Sequence, residues 1–301
     1  MKDFLKIKSI TQLHEMLGFS KPKHPLVTII DYASVTPKKE HYDVNILTDF
    51  YVISIKTPAP KSVQYGRQYY DFEEGSMMFM APGQVFSVKE FNEELQFKGW
   101  GLYFHPDIMA NSDLSKKIND FTFFFYLVSE ALHVSEEEKN ILQGIIDNIY
   151  SEYNRSIDDY SSEIIVSSIA LLLNYCQRFY GRQFITRKKL NTDLVSKFEH
   201  ILIEYFKRKQ EVTCLPNVAY FGSKLNLSSS YLSDLLKKET GKTTKDHINE
   251  CVIRLAKEKL LSTNDNVSEI AYSLGFEYPQ YFNRFFKSRT GMTPLEFRQV
   301  D

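Results

Sequence analysis

Gln280, Asn283, Arg284 and Lys287 are spaced three, four and seven residues from the first, so a helix through them presents all four on one open side. Side chains of these types can work on nucleic acid. A guanidinium donates two parallel hydrogen bonds to guanine O6 and N7, contributing about 1–3 kcal/mol of discrimination, and a Gln amide pairs bidentately with adenine by donating to N7 and accepting from N6–H. Lys287, with Lys237 and Lys238 about fifty residues earlier, suits phosphate contacts, which position a protein without reading sequence. Other chemistries find less material. The seven histidines, His14, His24, His41, His105, His133, His200 and His247, are scattered, and no His-x-His occurs. The clustered imidazoles and carboxylate that hold a divalent transition metal are therefore not expected. His105, followed by Pro106 and Asp107, reads as the exit from a strand into a helix. Cys176, Cys214 and Cys251 lie far apart, follow no metal spacing and sit in or near apolar helical stripes, as small core residues do. The expectation is a chain with no catalytic residues, no metal and no cofactor: not an enzyme.

A repeat positions the nucleic-acid set. Tyr231 to Gly241 (YLSDLLKKETG) is echoed by Tyr281 to Gly291 (YFNRFFKSRTG), fifty residues on, and the echo continues into Thr243 and Thr293. Val218 to Leu227 matches Val267 to Phe276 at forty-nine residues, so the second copy has one extra residue in its turn. Each copy reads as a short helix, a tight turn and a second amphipathic helix, a helix-turn-helix unit, at about 218–241 and 267–291. In the second copy Ile270, Ala271 and Leu274 fall at helical spacing and Gly275 supplies the freedom a tight turn needs. Pro279 suits the first helical position, where a missing N–H costs nothing. Tyr281, Phe282, Phe285 and Phe286 form the expected buried stripe, and Gly291 is placed to end the helix in a left-handed residue. Thr243 with Asp246, and Thr293 with Glu296, are capping-box pairs for the helices that follow. Two such units in tandem imply DNA reading.

The segment from Arg254 to Val267, then Ile270, Ala271, Gly275, Phe276, Tyr281, Phe282, Arg284, Phe286, Lys287, Gly291, Thr293 and Pro294, resembles the signature of the AraC/XylS family of bacterial transcription regulators. The match spans roughly residues 195 to 298. The resemblance implies a seven-helix DNA-binding domain in which a long central helix, here about Lys245 to Leu261, holds the two units apart. Its apolar face is Ile248, Val252, Leu255 and Leu260, and such a connector matters because major-groove faces recur roughly every 34 Å. By resemblance the base-reading positions fall on Ser229, Ser230, Ser233 and Asp234 in the first unit and on Gln280, Tyr281, Asn283 and Arg284 in the second. Asp234 departs from the basic or amide residue many relatives carry; a carboxylate repels phosphate but can accept from cytosine N4. The second unit is therefore expected to carry most of the base specificity.

The front of the chain is a different object. Val27 to Tyr32, Tyr51 to Lys56, Gln68 to Phe72, Ser76 to Met80 and Phe97 to Phe104 read as strands, rich in β-branched and aromatic residues between turn signals. Several short strands suggest a small barrel or sandwich. Glu74 to Gln84 resembles the Gly-to-Pro-Gly hairpin of the cupin barrels. Two helices are then expected: about Glu136 to Tyr153, with Ile141, Ile145 and Ile149 beside Leu142 and Ile146, and about Ser162 to Tyr180, with Ile165, Ile169, Leu172, Leu173 and Cys176. In the family such helices commonly form the contact of a homodimer. Phe121 to Tyr126 reads as core and also as the best aromatic lining for a pocket.

The expected fold is thus an α+β two-domain chain: an N-terminal cupin-like β-barrel with C-terminal helices at 1–181, a linker at 182–192, and an all-α tandem helix-turn-helix domain at 193–301. Charge follows the same division. Residues 1–181 hold 17 Lys and Arg against 24 Asp and Glu, and residues 182–301 hold 20 against 14. Four positive charges between Arg182 and Lys189 read as a solvated loop. With no signal peptide and no long apolar run, a soluble cytoplasmic protein is expected. The resemblance implies double-stranded DNA as partner, a small-molecule effector in the barrel and a homodimer, with RNA polymerase as a further candidate partner; whether the chain is an activator or a repressor is not written in the sequence. The alternative is a barrel that only dimerises or binds a protein partner.

Overall fold

Val52, Ile53, Ser54 and Ile55 are buried in succession within Tyr51–Thr57, and Trp100, Leu102 and Phe104 within Lys98–Phe104, so both segments lie inside a sheet with both faces covered. The computed structural model describes residues 4–35, 45–57, 75–87, 98–127, 130–207 and 214–299; the expected strand at Gln68 to Phe72 lies outside them. The chain divides into two compact units, Met1–Thr186 and Arg187–Asp301.

In the first unit the strands are β1 (Phe4–Ile7), β2 (Val27–Asp31), β3 (Asn45–Thr48), β4 (Tyr51–Thr57), β5 (Ser76–Met80), β6 (Val85–Ser87), β7 (Lys98–Phe104) and β8 (Leu132–His133). The helices are α1 (Ile10–Leu17), α2 (Asp113–Lys117), α3 (Glu136–Tyr153) and α4 (Ser161–Thr186). The strands form two sheets, β1-β3-β6 and β2-β7-β4-β5-β8. Among the described residues neither sheet closes on itself, so the closed cupin-like barrel expected from the strand pattern is corrected to a pair of open sheets. The segment around Pro82 and Gly83 shows why. Its two strands do not pair with each other: β5 pairs with β4 and β8, while β6 pairs with β3. The turn is a corner between sheets, not a hairpin, and Gly83 donates its N–H to Thr48 across it.

The five-stranded sheet is covered differently on its two sides. Ile30 and Val52 pack with Ile7, Ile10, Leu13 and Ile46 from β1, α1 and β3. Tyr51, Phe79 and Phe104 lie on the other side, in ring contact with one another or with Phe123, Phe124 and Tyr180. Phe121, Phe123 and Phe124 are buried, so most of the Phe121 to Tyr126 cluster is core. The crevice beside it, lined by Met77, Phe123, Tyr126 and Tyr180, has a volume of about 10 Å³, room for a single water. His105 accepts from Asp107 N–H as β7 gives way to a short 3-10 turn.

Helix α3 starts on a Ser135–Glu138 capping box and buries Leu142, Ile145, Ile146 and Ile149. Helix α4 buries Ile165, Ile169, Leu172, Leu173 and Cys176 and runs on to Thr186, beyond the end expected for it. The continuation is held by Arg182, which donates to both carboxylate oxygens of Glu138 at 3.0 and 2.6 Å and to the His133 carbonyl. Gln183 is buried; it accepts from His133 N–H and donates to the Ala131 carbonyl. The proposed linker at 182–192 is therefore corrected. Arg182 and Gln183 belong to the first unit, and helix α5 (Lys188–Lys207) opens the second only two residues after α4 ends.

The second unit continues with α6 (Val218–Leu225), α7 (Ser229–Thr240), α8 (Thr244–Ser262), α9 (Val267–Ser273), α10 (Pro279–Thr290) and α11 (Pro294–Arg298). One apolar core runs through it, from Phe198 and Phe221 through Leu232, Leu236, Val252 and Leu260 to Ile270, Phe282 and Phe286. Among the described residues no helix of the chain is long and apolar enough to cross a membrane.

Candidate nucleic-acid interface

Each helix pair, α6–α7 and α9–α10, is set by its turn. Asn226 adopts a left-handed conformation (φ 57°) between α6 and α7, and Gly275 does so (φ 91°) between α9 and α10. Asn tolerates that region through its short polar side chain; at 275 a Cβ would also lie 2.6 Å from the carbonyl carbon and oxygen of Cys214. Cys214 is exposed, which corrects its reading as a core thiol; its carbonyl accepts a 2.8 Å hydrogen bond from Tyr205 Oη.

The helix starts are fixed by side-chain caps. Asn217, Ser228, Thr243, Asn266 and Thr293 each accept a backbone N–H at the head of α6, α7, α8, α9 and α11. Thr243–Asp246 and Thr293–Glu296 are complete capping boxes, as the sequence suggested, and Asn266–Glu269 is a third that it did not. Thr243 donates from Oγ1 and N to Asp246, and these bonds hold the carboxyl below its ordinary range. Thr293 does the same to Glu296. Gly241 and Gly291 end α7 and α10 in left-handed conformations. The central helix α8 spans one residue more at each end than expected; Ile248, Val252 and Leu260 are buried, and Leu255 is half-buried.

Helix α10 exposes Gln280, Tyr281, Asn283, Arg284 and Lys287. Among the described residues no carboxylate lies within ion-pair distance of Arg284, so its guanidinium presents its donors to solvent. Phe282 and Phe286 are buried and Phe285 half-buried, but Tyr281 is 59% exposed, which corrects its place in the buried stripe. Helix α7 differs. Ser229 is exposed, Ser230 and Asp234 are half-buried, and Ser233 donates at 3.1 Å to Thr244, tying the hydroxyl to the start of α8. Lys237 and Lys238 are exposed in the last turn of α7. The structure thus gathers Gln280, Tyr281, Asn283 and Arg284 on one open face, and gives α7 a smaller, more engaged set.

A family profile described as a helix-turn-helix domain matches residues 222–299. The HTH-type transcriptional regulator YobQ of Bacillus subtilis is 29% identical over 114 residues, covering 34% of this chain and 47% of that protein. YisR, a second HTH-type transcriptional regulator of that organism, is 31% identical over 99 residues, covering 33% of this chain and 32% of its own length. The chain therefore spans less than half the length of either relative. Among solved structures, the C-terminal domain of the two-component response regulator yesN from Fusobacterium nucleatum is 30% identical, covering 34% of this chain and 97% of that one, with a TM-score of 0.30.

Proposed function

We propose that the AraC-type helix-turn-helix domain at residues 222–299 makes this chain a sequence-specific DNA-binding transcription regulator, with α10 as its principal reading helix. The observation that carries this reading is the open face of α10, where Arg284 offers two parallel donors, Gln280 offers an amide donor beside an acceptor, and no described carboxylate pairs with the guanidinium. Helix α7 reads less and grips more: Lys237, Lys238 and, on α10, Lys287 contact phosphate. Replacing Arg284 with Ala tests this. Specific binding, measured by fluorescence anisotropy on duplexes selected by the wild-type chain, is expected to fall more than tenfold, with circular dichroism unchanged. Unchanged specific affinity rejects the role of Arg284.

The N-terminal unit supplies dimerisation through α3 and α4, and a small molecule bound there shifts the arrangement in which two reading domains meet DNA. A second reading follows from the burial of Phe121, Phe123 and Phe124, which serve the core: the unit dimerises or meets a protein partner such as RNA polymerase and binds no effector. Thermal-shift screening of metabolites separates the two. An effector raises the melting temperature through binding linkage.

A further inference from the structure

The two reading helices start differently, and the difference lies in two tyrosines. Position 228 in the first unit corresponds to 278 in the second, and 231 to 281. In the first, Ser228 caps α7 by accepting the N–H of Tyr231, and the Tyr231 side chain is buried at 5% exposure. In the second, Tyr278 occupies the cap position of α10 with no side-chain cap bond, and Tyr281 is exposed. Of the helices α6 to α11, α10 is the one without a side-chain cap. Pro279 brings no N–H to the first turn, and Tyr281 N–H reaches the Tyr278 carbonyl at 3.0 Å, so the backbone makes up part of what the cap would provide.

The side chain placed there instead is half exposed (50%) and stands edge to face against Tyr281, with ring centroids 5.7 Å apart at 85°. A single exposed tyrosine needs no explanation. Two in contact, at the end of a recognition helix that approaches base edges, present an apolar surface already held in shape by its own ring contact. The major groove offers one apolar group to match it, the 5-methyl of thymine. Mutual restraint of the rings also reduces the entropy lost on binding.

We propose that Tyr278 and Tyr281 form a thymine-reading pair, packing against a thymine 5-methyl beside the bases contacted by Gln280 and Arg284. The proposal rests on the DNA-binding reading above and adds a specificity determinant to it.

Duplexes enriched from a randomised library by the full chain provide the probe. Each thymine is then replaced singly by deoxyuridine, which removes only the methyl group. The expected result is at least one position where deoxyuridine weakens wild-type binding about fourfold, the scale of one buried methyl. That penalty should vanish in Tyr278→Ser and persist in Tyr278→Phe. Serine is the residue at the matching place in the first unit, so the variant should melt no lower than the wild type. No deoxyuridine-sensitive position, or an equal penalty in Tyr278→Ser, overturns the pair while leaving DNA binding and the Arg284 effect intact. Loss in Tyr278→Phe as large as in Tyr278→Ser, without sensitivity to deoxyuridine, overturns it in favour of a phosphate contact through the hydroxyl. Failure of the library to enrich at all overturns the DNA-binding reading and the pair with it.

Discussion

A side chain at position 275 would have to share space with the Cys214 carbonyl, which lies 2.6 Å from where its Cβ would be built. The φ of 91° adds strain for any residue but glycine. Gly275→Ala is therefore expected to destabilise the second unit by more than about 1 kcal/mol, read from urea unfolding. Asn226→Gly, at the equivalent turn, should change stability by no more than about 0.5 kcal/mol, since Asn already accepts that backbone. Glycine as a turn residue is visible in a linear sequence; the carbonyl it must avoid belongs to a segment sixty residues away, which is why the reason for it was not. The capping carboxylates give a second prediction at this scale. Hydrogen bonds from Thr243 depress the folded-state pKa of Asp246, so its contribution is present above the unfolded value and is lost as pH falls through the folded one. Asp246→Asn should flatten the acid limb of stability against pH below about pH 4, measured by denaturation across pH, and should be less stable than the wild type at neutral pH, where the carboxylate contributes in full.

Among elements, α7 and α10 show how far a repeat can be trusted. Their terminal glycines, and the capping boxes of the helices that follow them, were legible because each depends on one residue type meeting one local backbone need. The third capping box, Asn266–Glu269, has the same grammar in a less familiar lettering. The fate of Tyr281 was not legible. Its spacing fits the buried stripe of Phe282 and Phe286, and only the packing of neighbouring helices decides which ring is covered. The sheets teach the same lesson more severely. Strands β4, β5 and β7 announce themselves by composition, whereas β1, β3, β6 and β8 have two to four residues each and owe their state to pairing partners. Partner choice at the Pro82–Gly83 corner then decides between a hairpin and two sheets, and no local residue encodes it. The division of labour between the two reading helices has a measurable form. If Lys237 contacts phosphate, as proposed, Lys237→Ala should weaken binding evenly across sequences and reduce the slope of log affinity against log salt by about 1. Arg284→Ala should instead relax sequence preference at one position. Equal loss of preference in both variants would contradict the assignment.

Over the whole molecule, the surplus of positive charge in residues 182–301 is only six, which limits how tightly one copy can hold a polyanion. Two copies acting together raise affinity without new contacts, by about 10²–10⁴ where geometry allows both to engage. Helix α4 is the surface we propose for this. Its buried face packs inward, yet Ile164 and Leu171 stand exposed, with Ser168 and Tyr175 completing a line at spacings of four, three and four residues. That spacing matches what a helix–helix seam requires, and the small serine would permit close approach. Leu171→Glu places a charge in the middle of the line while leaving the inward residues Leu172 and Leu173 untouched. Because position 171 is exposed, the fold should change by no more than about 0.5 kcal/mol. Sedimentation velocity is expected to find the wild-type chain as a dimer and the variant as a monomer. The same variant should lose about a hundredfold in affinity for a duplex bearing two half-sites and nothing for a single half-site. A Leu171→Glu chain that still sediments as a dimer removes α4 from the interface. A monomeric variant with undiminished affinity for the paired site shows that one copy suffices, in which case both helix-turn-helix units of a single chain must span the site.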